Sequence, residues 1–514
     1  MEKWWKETVF YEIYMPSFKD GNGDGIGDFI GLTNKLDYLS ELGIGAIWLT
    51  PFYQSPRIDN GYDISDYYSI DPIFGSDEDL ERFIEEAHKR NIRVIADLVI
   101  NHTSTEHQWF KESASSRDSA KRDWYIWKDT PNNWESFFGG SAWEYDQRTE
   151  QYYYHSFAKE QADLNWRNPE VKQEIFKVIE YWLLKGFDGF RLDVINNLTL
   201  GETFPDNPTD ENGEQIHLMD KDQEGIRDIL SEINAFIKKI NPKAFTVGEI
   251  SSDDLETIAK YSEDNILDVT FNFNFGSVEA FKVEKVFNEL KRMDDIYQSD
   301  RDPTLFFGSH DMGRLWSRLA NGNIGQAELL ATLILTAKGV PFLYFGDEIG
   351  MEDLVQHSIE EFRDIQAIMS YRLALENGED IQEAIMKANK ASRDKARAPM
   401  QWENEPFSPV EPWIPEAKRV DGRGQRLFSF YKKLIRLREI DDFCYAPYKH
   451  LEIVNNLIYY QRGNCLFFLN FGEESETVEN DWEIDGMLLS NVSPKWTQSE
   501  IEIPEHAAVI LAVN

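Results

Sequence analysis

Cysteine is nearly absent from this chain. Cys444 and Cys465 are the two among 514 residues, too few for a disulfide framework, and they fit a reducing compartment. Basic residues are the next shortage: 53 Lys and Arg stand against 92 Asp and Glu, a formal charge of −39. Binding DNA or RNA needs clustered positive charge, so no nucleic-acid partner is expected. The same acidity favours solubility and disfavours a polyanionic substrate, and it says nothing of fold. No apolar run reaches membrane-spanning length, and the opening Met1-Glu2-Lys3-Trp4-Trp5-Lys6 lacks the apolar stretch of a signal peptide. The expectation is a soluble, cytoplasmic monomer with no membrane association.

What the chain does have is aromatic: 33 Phe, 22 Tyr and 15 Trp can fill a large core and still line a cleft. Its length exceeds one ordinary domain. A strand read at 9–18 is ended by Pro16, and those read at 44–50 and 92–102 are nearly continuous apolar runs that turn polar at their C-terminal ends, the pattern of parallel strands covered by helices. Helices read at 29–42 and 76–91 separate them. The rhythm breaks over 103–165, a Trp-, Tyr- and Asn-rich tract long enough to need a small fold of its own. It resumes with helix 169–185, strand 187–195, helix 223–240, strand 244–249, helix 254–262 and strands at 267–273, 303–309 and 340–345. Eight strands with intervening helices predict a (β/α)8 TIM barrel of the α/β class. The barrel takes 1–102 and 166–430, with the inserted subdomain at 103–165. Short alternating strands at 451–460, 465–470, 487–489 and 508–513 predict a C-terminal antiparallel β-domain, a sandwich, over 431–514.

Barrel enzymes gather their working groups from the strand ends at one face. Here those ends carry Asp97 and His102, Arg191 and Asp193, Glu249, and His310-Asp311. No H-x-H or HExxH pairing suggests a catalytic metal, and no serine or cysteine nucleophile stands out. Glycoside hydrolysis instead needs one ionised and one protonated carboxyl flanking the bond. Arg191, two residues from Asp193, projects from the same side of its strand and is expected to keep Asp193 ionised as a nucleophile. Glu249 follows the apolar Phe245-Thr-Val-Gly248, which should raise it towards a usable acid. Asp311, His310 and His102 would grip sugar hydroxyls, and Tyr62 would floor the site. In Asp20-Gly-Asn22-Gly-Asp24-Gly-Ile26-Gly-Asp28, oxygen side chains at alternate positions predict a structural, non-catalytic Ca2+ loop; Gly31 falls where an EF-hand has its glutamate. No organic cofactor is expected.

Through Asp97-Leu-Val-Ile-Asn-His102, Gly189 to Asn196, Thr246-Val-Gly-Glu249 and His310-Asp311 the chain resembles the α-amylase/α-glucosidase family of retaining glycosidases, and most its oligo-1,6-glucosidase branch. The resemblance implies Asp193 as nucleophile, Glu249 as acid/base and Asp311 as transition-state stabiliser. Arg191, His102 and His310 would line the subsite for the terminal glucose, reached also by Asp59, Tyr62, Arg397, Phe157 and Gln161. It implies that the calcium loop also uses the Ile26 carbonyl. Val194, next to the nucleophile, resembles members acting on α-1,6 links and implies isomaltose-type substrates. Ser309, Met312 and Gly313 depart from the family's usual run around His310-Asp311. The 200–225 loop is strongly acidic. A trehalose-6-phosphate hydrolase ranks second, because its phosphate would want Arg or Lys at that rim. Sucrose or trehalose isomerisation comes third, and an inactive sugar-binding scaffold is the alternative from another class.

Overall fold

The computed structural model describes residues 3–264, 266–298, 300–439 and 441–513. Its frame is a ring of parallel strands: β1 (Phe10–Ile13), β2 (Ala46–Leu49), β3 (Arg93–Leu98), β4 (Gly189–Leu192), β5 (Phe245–Gly248), β6 (Val269–Thr270), β7 (Thr304–Leu305) and β8 (Val340–Tyr344). They pair in the order 6-5-4-3-2-1-8-7, every ladder parallel. Thr304 bridges β7 to β6, its hydroxyl donating to the Thr270 carbonyl at 3.0 Å and accepting the Asn272 N–H at 3.1 Å. The expected (β/α)8 barrel is therefore the fold.

Alternation along each strand divides the core. Phe10, Trp48, Ile95, Phe245, Val247 and Phe342 fill the inside of the ring, with Phe10 stacked 4.6 Å from Phe342 and 4.7 Å from Phe245. Their neighbours Tyr11, Ile47, Val94 and Phe190 pack outward against the helices. Those helices are written into the sequence. In α1 (Asp77–Lys89) Ser76 and Asp79 form a capping box, and Leu80, Phe83, Ile84 and Ala87 make the buried stripe. In α2 (Pro169–Leu184) Asn168 caps the first turn and Pro169 starts it.

One glycine is indispensable to the register. At Gly189 φ is +150°, and a Cβ there would lie 2.0 Å from the Phe245 carbonyl oxygen. The bare backbone lets β4 and β5 lie side by side, which places Arg191 opposite Val247 and carries the next residues up to Glu249.

The structure shortens several expected elements. The 9–18 strand ends at Ile13, because Pro16 sits in a helical turn, Met15–Phe18, where its missing N–H costs nothing. The 29–42 helix breaks at Lys35 into Phe29–Asn34 and Leu36–Leu42. His102 begins a separate short strand, His102–Ser104, paired antiparallel with Gln161–Asp163. Within the insertion, Trp127–Lys128, Trp143–Asp146 and Gln151–Tyr154 form a small antiparallel sheet. The single strand read at 451–460 is a hairpin, Tyr448–Val454 and Leu457–Arg462, turning at Asn455 with φ 51°. That hairpin opens a five-stranded antiparallel sheet, and a three-stranded one completes the separate C-terminal β-domain.

Candidate active site

Arg191 organises the site. It is buried, and its Nη1 donates to Asp97 at 2.9 and 3.1 Å and to Asp193 Oδ1 at 2.5 Å. Its Nη2 donates to Glu249 Oε2 at 2.6 Å. The Asp193 and Glu249 carboxyls also lie within hydrogen-bonding reach of each other. Held by the one guanidinium, they face the same small space.

One guanidinium cannot neutralise three buried carboxylates, so the cluster keeps protons. Burial pushes Glu249 up to about 8, against the pull of Arg191 and with Asp193 and Asp311 adding to the rise. Burial also pushes Asp193 up to about 7, outweighing Arg191, and Asp97 adds to it. The expectation that Arg191 alone holds Asp193 in the ordinary carboxylate range is therefore corrected. Burial raises both carboxyls, so the pair as a whole holds on to a proton.

Val194 follows the nucleophile with φ 39° and ψ 46°, a left-handed conformation in a β-branched residue. Such a backbone costs on the order of 1–3 kcal/mol and persists only where its surroundings impose it. What it achieves is visible: the Val194 N–H donates to Glu249 Oε2 at 3.1 Å.

The opposite wall is built around Asp311, a third of whose side chain faces the cleft. Arg397 Nη2 donates to Asp311 Oδ1 at 2.9 Å, and Arg397 Nε to the His310 carbonyl at 2.9 Å. Burial alone would raise Asp311, but His310, Arg393, Arg397 and Arg191 hold it well below the usual carboxylate range. The Ser309 hydroxyl accepts the Asp311 N–H at 3.2 Å, so the departure at this position has a use in the turn. Tyr62 stacks on His310 at 5.3 Å and donates to Asp97 Oδ2 at 2.9 Å. His102, neutral because burial lowers it to about 4, contacts the Tyr62 carbonyl at 3.1 Å and Gln161 at 3.2 Å. Gln161 donates to Asp59 Oδ2 at 3.1 Å, and Phe157 packs on His102 at 5.5 Å.

These side chains converge on a cleft enclosing about 230 Å3, lined by Asp59, Tyr62, His102, Phe157, Gln161, Asp193, Val194, Glu249 and Asp311. Arg397 is not in that lining; it supports Asp311 from behind. Arg393, four residues earlier, does line the cleft, donating to Asp59 Oδ1 at 2.6 Å and to Asp364 at 2.5 Å. Phe138 and Gln366 complete the wall. The sequence reading passed over all three. Arg393 stands in the same run as Arg397, and the short turn Asp394–Ala396 separates the two.

The Asp20–Asp28 loop lies elsewhere, against Phe407 and Trp413. Asp20 accepts backbone N–H groups of Asn22, Gly23 and Gly25, and Asp28 accepts those of Gly21, Asn22 and Gly31. Asp24 accepts from Ile26 N–H at 2.9 Å. Among the described residues no three His, Cys, Asp or Glu side chains are grouped as a metal site; the ligand set expected of this loop also draws on the Asn22 side chain and the Ile26 carbonyl. Among the described residues no helix is long and apolar enough to cross a membrane.

Comparison with known proteins agrees with the geometry. The sequence model described as "Alpha amylase, catalytic domain" matches residues 12–445. Oligo-1,6-glucosidase of Bacillus cereus is 40% identical over 492 residues, 89% of this chain and 88% of that protein. The solved structure of trehalose-6-phosphate hydrolase from Bacillus licheniformis, a mutant in complex with PNG, has a TM-score of 0.90 at 36% identity and covers 100% of both chains. Trehalulose synthase from Pseudomonas mesoacidophila MX-45 gives a TM-score of 0.92 at 33% identity, again over 100% of both.

Proposed function

The chain belongs to the α-amylase family of glycoside hydrolases, and from that premise we propose that it removes a single terminal glucose from a short α-glucoside with retention of configuration. One observation carries the proposal: Asp193 and Glu249 grip the same guanidinium side by side, at the bottom of a cleft walled by Asp311. Asp193 attacks the anomeric carbon while Glu249 protonates the departing oxygen, giving a glucosyl-Asp193 ester. Glu249, now a carboxylate, takes a proton from the water that cleaves the ester. Asp311, held anionic by its arginines, is placed to stabilise the positive charge that develops on the sugar in both steps.

For the aglycone, an isomaltose-type α-1,6 substrate is the first reading. It is supported by Val194 in the cleft lining and by the oligo-1,6-glucosidase relative. Trehalose 6-phosphate is the second, and the comparisons favour it, since a trehalose-6-phosphate hydrolase matches over the full length of both chains. Charge speaks against it. Arg393, the cation in the cleft lining, is already engaged by Asp59 and Asp364. Likeness to a trehalulose synthase keeps sugar-to-sugar transfer as a third outcome of the same covalent step.

Turnover of isomaltose, trehalose 6-phosphate, sucrose, trehalose and maltose, with the released sugar followed by NMR, separates these readings. α-Glucose appears first if the proposal holds. Initial β-glucose, or no turnover of any of them, would overturn it.

A further inference from the structure

Against His310, in a small cavity shared with Glu249 and Asp311, lies a carboxyl that the mechanism above does not use. Glu12 sits on β1 with its side chain buried. Its Oε1 lies 2.5 Å from His310 Nδ1 and accepts the His310 backbone N–H at 3.2 Å, so ring and main chain of one residue converge on one oxygen. The ring itself is sandwiched between Tyr62, at 5.3 Å and 7°, and Tyr14, at 6.2 Å and 14°.

We infer that Glu12 is a positioning residue that supplies the hydrogen bond at His310 Nδ1, so that Nε2 carries its hydrogen towards Asp311 and the sugar. The inference rests on the glycosidase reading of this cleft and adds to it how one of its walls holds its proton. The argument is a count of donors and acceptors. His310 Nε2 lies 3.2 Å from Asp311 Oδ2 and 2.7 Å from the Tyr62 hydroxyl. Asp311 is a carboxylate, so a bare Nε2 would face its lone pairs with nothing between them. Tyr62 has one proton, and Asp97 Oδ2 at 2.9 Å is its carboxylate acceptor, so the Tyr62 oxygen is free to receive one. Both neighbours therefore call for Nε2–H. In a neutral imidazole that leaves Nδ1 as an acceptor, and Glu12 is the group placed to donate to it.

Charge supports the neutral pair. The groups facing it are Asp311, Asp97, Arg191, Arg393 and Arg397. Burial raises Glu12 well above the usual carboxyl range, with Asp311 and Asp97 adding to the rise. Burial lowers His310 to about 3, Asp311 opposing and the arginines assisting. A protonated carboxyl donating to a neutral ring is the state in which neither buried partner is charged. A directed chain results, from Glu12 through His310 to Tyr62 and Asp97, ending on the guanidinium that holds Asp193 and Glu249.

The test uses the full-length protein labelled with ring-15N histidine. The His310 resonances, identified by their loss in His310→Gln, should show the Nε2–H tautomer unchanged between pH 7 and 8, where Asp97 is ionised. This readout needs no turnover, so it stands or falls apart from the glycosidase reading. Glu12→Gln keeps an N–H donor for Nδ1 and should retain that tautomer, but its NH2 cannot also accept the His310 backbone N–H, so kcat/KM should fall by up to about tenfold. Glu12→Leu removes the donor. It should let the tautomer shift towards Nδ1–H and lower kcat/KM on 4-nitrophenyl α-glucoside by about 30- to 100-fold, as expected for a misaligned wall of the site. Should Glu12→Leu fail to fold, the wild-type and Glu12→Gln spectra still decide. A wild-type His310 with Nδ1–H and a bare Nε2 overturns the inference, as does a folded Glu12→Leu protein with wild-type tautomer and kcat/KM.

Discussion

Asp193 and Glu249 share one arginine with Asp97, so removing either acid changes both chemistry and electrostatics. Asp193→Asn deletes the nucleophile, and kcat should fall by about 10³-fold or more. It also deletes one of three buried acids crowded on a single guanidinium, so the melting temperature should hold or rise. Calorimetry beside steady-state kinetics checks the pairing; an inactive variant that also melts much earlier would mean the substitution damaged the fold. Because the reactive form has one proton on the pair, kcat/KM should trace a narrow bell. Its acid limb near 7 reflects ionisation of Asp193, and its alkaline limb near 8 the loss of the Glu249 proton. Both limbs belong to the coupled pair rather than to either residue alone. Much of this was legible beforehand. Arg191 and Asp193 are two apart on a strand, and that spacing is sufficient to put them on one side. What could not be read was the sign of Asp193's shift, because it depends on how completely β3, β4 and β5 bury the cluster. Nor does any sequence pattern announce the left-handed backbone at Val194.

At the scale of elements, apolar runs and caps located every barrel strand, and the misreadings cluster where local chemistry overrode the run. Pro16 ended a strand early, Lys35 interrupted a helix, and Asn455 turned one strand into two. The inserted tract was recognised as a separate unit, but its gift to the cleft, Phe138, was hidden among many aromatics. The alternation in the Asp20–Asp28 loop suggests calcium, while the folded loop uses Asp20 and Asp28 to hold its own backbone amides. We propose that Ca2+ is held by Asp20, Asn22, Asp24, Asp28 and the Ile26 carbonyl, with Asp20 and Asp28 already converging on the Asn22 N–H. Chelation of protein prepared with calcium should then lower the melting temperature and leave kcat/KM unchanged at a temperature where the fold persists. Metal analysis finding no calcium in such protein, with an unaltered melting curve after EDTA, would remove the proposal. Asp20→Ala should be the harsher change, since it strips acceptors from three backbone N–H groups whether or not a cation binds.

Across the whole molecule, pH sets a balance between buried acids and buried imidazoles. Burial raises Asp63 and Asp97 to about 6, Asp163, Asp193 and Asp347 to about 7, and Glu249 to about 8. A carboxyl raised on folding binds its proton more tightly in the native state. Its contribution is complete below the unfolded value and is lost as pH climbs through the folded one. Burial lowers His102, His107 and His155 to about 4 and His310 to about 3. A histidine lowered on folding acts the other way: its contribution is complete above the unfolded value near 6.5 and fades as pH falls towards the folded one. The two sets oppose each other between about pH 4 and 6.5, but six acids face four histidines, so stability should already decline there, more gently than the acids alone would dictate. Above that the histidines have nothing further to add, while Asp163, Asp193, Asp347 and Glu249 are still losing their protons. The net charge of −39 pushes the same way, since each released proton adds to the self-repulsion of an already acidic chain. Melting temperature should therefore fall steadily from pH 6.5 to 8.5, and raising the salt concentration should recover only the surface part of that loss, because buried charges are poorly screened. A melting temperature that instead rose over this interval would mean that these acids are already ionised in the native protein at pH 6.5.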